Sequence, residues 1–282
     1  MSNKLTFFNS ILLTLSTIFT LSAIVTNFVA CSNETGKTPG IEEKPGLAGK
    51  TISFMGDSIT TYGGWSNLTW FNSTIGSNRV YYDYSNDRLS SVSDTWWKKT
   101  IDALDLKLCV NNSSSGSRVT TSMGESHASC MTRAKNLHND NENIYPDIIC
   151  IYMGINDYTN VELGSFDSIN EIYDSSTNSY IGDLTVFADA YATMVHKIIT
   201  TYENADLYLC TLVRYKTDPT ISSWNNIIKK IADEFDCNVV DFYNETGIND
   251  NMVYTIDGLH PSQSGMSKMS ECLIASLQNN YE

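Results

Sequence analysis

The chain of 282 residues carries 32 acidic and 18 basic side chains, a formal net charge of −14, with 41% hydrophobic residues and seven cysteines. Its length and apolar content suit one large or two small globular domains and exclude a disordered chain, and the cysteines are too few for a disulfide-stapled miniprotein. The acidic balance argues against nucleic acid as a partner, because phosphates are met with Lys and Arg.

Residues 1–30 hold a single charge, Lys4, then an apolar run through Phe7, Leu12, Leu15, Phe19 and Val25 that closes on the small residue Ala30. A basic start, an apolar stretch and a small final residue describe an export signal. Cys31 follows at once, and the arrangement resembles a bacterial lipoprotein signal, in which that cysteine is lipidated and becomes the new N-terminus. Phe28 departs from the pattern, since Leu is commonest three before the cysteine. A plain cleaved signal and an uncleaved anchor stay open, the uncharged stretch 5–30 being long enough to span a bilayer. All three readings export the rest of the chain, the first attaching it to a membrane through an N-terminal lipid. Residues 31–49, with Pro39 and Pro45 among several glycines, read as a flexible tether.

From residue 50 short apolar runs alternate with amphipathic stretches. Strands are expected at 51–55, ending at Gly56, and at 106–110, 147–153, 207–213 and 239–242, and the run 147–153 is continuously apolar, as in a strand buried on both faces. Helices are expected at 94–105, 183–202, 221–235 and 262–277, with a weaker candidate at 128–138, while 158–182 reads as a loop. This alternation means right-handed β-α-β units, hence a five-stranded parallel sheet covered on both faces in one domain over 50–282. The cysteines at 109, 150 and 210 lie in apolar runs as small buried hydrophobes, and the sequence pairs none of the cysteines. No C-x-x-C or HExxH occurs, so no metal is expected. The Gly-Lys-Thr triplets at 36–38 and 49–51 lack the upstream glycine of a phosphate loop, so no cofactor is implied.

In such sheets ligands bind at the carboxyl ends of the strands. Four polar blocks stand there in chain order: Gly56-Asp57-Ser58, Asn111 to Gly116, Gly154-Ile155-Asn156-Asp157, and Asp257-Gly258-Leu259-His260. Together they resemble the GDSL, or SGNH, hydrolase family over residues 50 to 280. The resemblance implies a three-layer α/β/α sandwich of flavodoxin-like order and a serine hydrolase acting on ester bonds. It makes Ser58 the nucleophile, His260 the general base and Asp257 its orienting carboxylate. The oxyanion hole would be formed by the N–H groups of Ser58 and Gly116 and the side-chain amide of Asn156. The chemistry agrees: a serine hydroxyl needs a base, and a histidine serves best when a carboxylate fixes its tautomer. Asp57 is expected to hold the turn beside Ser58.

Nine aromatics fall within 62–97, including four of the five tryptophans. Trp96 and Trp97 read as helix-to-sheet packing. Tyr62, Trp65 and Trp70 either line the substrate site or pin the loop. Ten acids and no Lys or Arg lie between 136 and 196, which favours a neutral ester over an anionic one. The expected partner is a small acyl ester or an acylated glycan. Removal of acetyl groups from a polysaccharide leads, a lipase- or thioesterase-like activity comes next, and a non-catalytic glycan-binding lipoprotein is the rival from another class. The histidines at 127, 138 and 196 have no comparable company and read as structural or surface residues.

Overall fold

Strands that are apolar on both faces need a helical layer above and below, and the first such strand is β1 (Thr51–Gly56), buried from Ile52 onward. The structure is a computed structural model describing residues 46–66, 79–86, 88–125, 128–214, 220–249 and 252–281. The export signal, Cys31, Trp70 and His127 lie outside the described residues. β2 (Lys107–Ser113) and the fully buried β3 (Ile148–Tyr152) follow. A small antiparallel pair, β4 (Tyr173–Asp174) with β5 (Ser179–Tyr180), stands apart from the main sheet. β6 (Asp206–Cys210) and β7 (Asn238–Val240) complete that sheet, whose order is β2-β1-β3-β6-β7 with every pair parallel. The chain thus steps from β1 to one side and then returns to build the other. The resulting switch point lies at the carboxyl ends of β1 and β3, where α/β sheets bind ligands.

The helices are α1 (Trp96–Leu104), α2 (Phe187–Thr201), α3 (Ile221–Glu234), the single-turn α4 (Phe242–Glu245) and α5 (Gln263–Tyr281). α1 packs against α5, and α2 against α3, which gives the sandwich its two outer layers. Thr95 caps α1 by accepting from the Lys98 N–H. Trp96 and Trp97 are fully buried, and Trp96 meets Phe54 of β1 edge-on with ring centroids 5.3 Å apart. Both tryptophans therefore fasten the helix to the sheet. Among the described residues no helix is long and apolar enough to cross a membrane.

Several boundaries differ from the sequence expectation, each for a local reason. Residues 128–138 form only a one-turn 3-10 helix at Thr132–Lys135, because Arg133 turns inward to donate to the carbonyls of Gly56 and Asn112. The stretch 158–182 contains the β4-β5 hairpin, closed by the Tyr173–Tyr180 ring contact. β7 stops at Val240 because Asp241 caps α4, accepting from the Asn244 N–H. The described end of the expected tether joins the fold: Leu47 is buried and the Gly49 N–H donates to the Asp105 carbonyl at 2.7 Å. Cys150 and Cys210 lie side by side in the core on β3 and β6 as free thiols, while Cys109 is half-buried.

Candidate active site

A polar cluster at the carboxyl edge begins where β1 ends. Asp57, the first residue past the strand, caps the 3-10 turn Ser58–Thr60 by accepting from the Ile59 N–H at 2.9 Å. Ser58 is thereby the first residue of a tight turn, nearly buried. The Thr61 hydroxyl donates to the Ser58 carbonyl and closes that turn.

Across the crevice lies the connection into α5. The Ile256 N–H donates to the His260 carbonyl and the Ser262 N–H to the Tyr254 carbonyl, folding 254–262 into a narrow loop. At its tip Gly258 takes φ +85°, a left-handed conformation that side chains rarely adopt. Asp257 Oδ1 accepts from the N–H groups of Leu259 and His260, so the carboxylate and the imidazole come from one closed turn. His260 Nδ1 lies 2.8 Å from Asp257 Oδ2, and Nε2 lies 2.8 Å from Ser58 Oγ. The residues expected to form a triad are therefore one hydrogen-bonded chain.

Burial pulls the His260 imidazole below its ordinary value, against the opposing pull of Asp257. At neutral pH the ring is free to take a proton. For Asp257, partial burial acts upward but is overcome by bonds from the His260 N–H, the Tyr81 hydroxyl and the His260 ring. The carboxyl lies well below the usual range and stays ionised.

The other two blocks are tied to this edge by backbone. The Ser114 N–H donates to the Gly56 carbonyl, holding the loop after β2 against the end of β1. Gly116 takes φ +77°, and a Cβ built there meets nothing within 4 Å. The glycine is required by its backbone angle, over open space. Asn156 Nδ2 donates to the Ser117 carbonyl at 3.0 Å, which fixes the amide plane and leaves its second N–H for another acceptor. Buried Asp157 accepts from the N–H groups of Val119 and Thr120 and from the Thr120 hydroxyl, locking the two loops together. Its carboxyl is raised by burial against those bonds.

Beneath the nucleophile turn, burial pushes the Asp57 carboxyl up to about 7, with nearby Arg133 acting in the opposite sense. Arg133 is itself buried, and its guanidinium is lowered to about 10. Sequence reading gave Asp57 a turn-holding role and missed Arg133, which no local motif marks. It also missed Tyr81, whose hydroxyl donates to Asp257 Oδ2 at 2.7 Å and whose ring stacks on His260 at 3.4 Å.

The structure bears on two expectations about the substrate surface. Tyr62 is only 4% exposed and packs in the core, the loop-pinning one of its two expected roles. Trp65 is 43% exposed and borders a groove of about 520 Å³ with Asn111, His138 and Asp140 beside β2. Of the acids of 136–196, Asp157 lies in the loop cluster at this edge, while others are engaged elsewhere. Asp147 bonds Thr51 at the opposite, amino end of β1, Asp140 pairs with His138, and Asp167 pairs with Lys230. Beside the triad, Arg88 lies over the Tyr81 ring. Among the described residues no group of His, Cys, Asp and Glu is arranged to hold a metal ion.

Similar structures share this architecture. A chain described as a GDSL-like lipase from Bacteroides ovatus is 23% identical, with 82% of this chain and 99% of that one covered, at a TM-score of 0.61. An active-site mutant of a family two carbohydrate esterase from Clostridium thermocellum is 17% identical over 84% of this chain and 66% of that one, at 0.54. An acetyl xylan esterase from Geobacillus stearothermophilus is 18% identical over 85% and 98%, at 0.50. No curated protein sequence matches the chain. Residues 50–277 match the family described as GDSL-like lipase/acylhydrolase. That span takes in the whole sheet and all four polar blocks, and the chain belongs to the GDSL-like lipase/acylhydrolase family, whose members are ester hydrolases.

Proposed function

We propose that the protein hydrolyses a carboxylic ester through an acyl-enzyme on Ser58, and that its substrate is an O-acetylated glycan. The observation that carries the chemistry is the unbroken chain from Asp257 Oδ2 through His260 to Ser58 Oγ, with both heavy-atom distances at 2.8 Å. Ser58 Oγ attacks the ester carbonyl as His260 Nε2 takes its proton. Asp257 holds the ring with Nε2 toward the serine and stabilises the imidazolium. The negative charge on the former carbonyl oxygen is met by the N–H groups of Ser58 and Gly116 and by the second amide N–H of Asn156. The imidazolium returns the proton to the leaving alcohol, and a water activated by the same histidine releases the acid.

The glycan half of the reading rests on exposed Trp65, whose ring can stack on a sugar, and on similarity to an acetyl xylan esterase and a family two carbohydrate esterase. p-Nitrophenyl acetate hydrolysis by the domain and by Ser58→Ala tests the chemistry; equal rates would end the serine-esterase reading. Acetate release from acetylated xylan, set beside a chain-length series of acyl esters, tests the substrate class. Preference for long acyl chains would move the assignment to a lipase-like enzyme. We also propose export as a lipoprotein modified at Cys31. A palmitate analogue that labels the protein and not Cys31→Ala is the expected result.

A further inference from the structure

The two halves of the triad lie 202 positions apart in the chain, and one dipeptide touches both. The Tyr81 N–H donates at 2.9 Å to the Thr61 hydroxyl, which itself donates to the Ser58 carbonyl. On the other side the Tyr81 hydroxyl donates to Asp257 Oδ2 at 2.7 Å, the oxygen that also takes the His260 ring N–H. The Tyr81 ring lies on the imidazole with centroids 3.4 Å apart and planes within 9°. Tyr82, fully buried, donates its hydroxyl to the Pro261 carbonyl at 2.7 Å and meets Tyr81 edge-on. Arg88 then backs Tyr81, its guanidinium carbon 3.9 Å from the ring centre and one N–H on the Tyr81 carbonyl at 2.7 Å.

With four donors the Asp257 carboxylate is saturated: two backbone N–H groups on Oδ1, the ring N–H and the tyrosine hydroxyl on Oδ2. We propose, resting on the serine-esterase reading, that Tyr81 is a positioning residue for the catalytic base: its hydroxyl fixes Asp257, its ring fixes the imidazole plane, and Arg88 holds it in place. The hydroxyl has an electrostatic consequence as well. A donor on Oδ2 withdraws charge from the carboxylate facing the imidazole, and the Arg88 cation acts in the same direction. Both keep His260 from holding a proton, so that it stays a base to lower pH. The groups that face His260 are Asp257, Ser58, Tyr81, Tyr82 and Arg88.

Three variants separate these contributions. Tyr81→Phe keeps the stacked ring and deletes the hydroxyl, Tyr81→Leu deletes both, and Arg88→Gln removes the cation. Kinetics on p-nitrophenyl acetate are followed across the pH range, beside melting temperature and Ser58 labelling by a fluorophosphonate. Tyr81→Phe is expected to lose about 3- to 10-fold in kcat with KM within about twofold, and to move the acid limb of kcat/KM up by about 0.5 pH unit. Tyr81→Leu should lose about tenfold more, and Arg88→Gln should fall between wild type and Tyr81→Phe. A Tyr81→Phe enzyme with wild-type kcat and an unmoved acid limb would overturn the proposal while Ser58 labelling kept the esterase reading intact. A rise in KM alone would make Tyr81 a substrate contact, and a fall in melting temperature with no pH shift would make it a packing residue; both defeat the proposal. Absence of both turnover and Ser58 labelling in the wild type would bring down the esterase reading and this proposal together.

Discussion

Among the described residues two histidines, His260 and His138, are built into the same kind of company. His260 has Asp257 on one ring nitrogen, a hydroxyl on the other and a tyrosine stacked on its face. His138 has Asp140 at 2.7 Å, the Tyr202 hydroxyl at 2.8 Å and Tyr145 stacked parallel with centroids 4.8 Å apart. What differs is the hydroxyl. Tyr202 already donates to the Lys135 carbonyl and accepts from the Leu137 N–H, and burial holds its phenol far above the ordinary value. Its proton is spoken for. Ser58 begins a one-turn helix at a strand end, and its hydroxyl bonds only the His260 ring among the described residues. A carboxylate, an imidazole and an aromatic ring are thus not sufficient for chemistry. The nucleophile must have its proton free for transfer, and the charge it creates must have donors waiting.

That contrast can be tested in pairs. His260→Ala should cost about 10⁴-fold or more in kcat on p-nitrophenyl acetate, whereas His138→Ala should leave kcat within about twofold and lower the melting temperature by a few degrees. A large activity loss in the His138 variant would break the comparison. Asp257→Asn should lower kcat by about 10³- to 10⁴-fold through the wrong tautomer, and Asp140→Asn should not, with single-turnover acylation as the readout. Asn156→Ala should lower kcat by about 10²- to 10³-fold with little change in KM.

The smallest effect concerns the turn beneath the nucleophile. Asp57 is raised in the fold to about 7, so the folded protein keeps a proton that the unfolded chain releases from about pH 4 upward. Stability from this group is therefore present at low pH and lost as pH rises through 7. Asp57→Asn keeps an acceptor for the Ile59 N–H and has no proton to lose. Its melting temperature relative to wild type should rise by several degrees between about pH 5 and pH 8. A flat difference would show that Asp57 is ionised in the fold.

Much of this was legible in the sequence because the informative signals are local. Ile148 to Tyr152 is apolar without a break, which marks a strand buried on both faces, and the first three polar blocks follow their strands within a few residues, while the Asp257 block comes after β7 and the short α4. The Asp257-to-His260 spacing is that of one turn, so a carboxylate and its histidine could be read as partners. The rest depends on contacts that no window contains. Tyr81 meets Asp257 across 176 positions, and nothing in the run Tyr81-Tyr82 says that one ring reaches the triad while the other enters the core. Tyr62 illustrates the converse, since an aromatic near the nucleophile in sequence is buried in space. The β4-β5 strands are two residues each, too short for any periodicity. His138 reads as a structural or surface residue in the sequence, and its partner Tyr202, 64 positions along the chain, is met only in the fold.

The distance along the chain between Ser58 and His260 also bears on how the protein is made. During synthesis the serine turn, the sheet centre and the loops bearing Gly116 and Asn156 all emerge before the histidine does. Until residues 254–262 fold back over Tyr81 and Tyr82, the serine has no base. The nascent polypeptide carries a latent nucleophile, armed only when the loop bearing His260 closes on it.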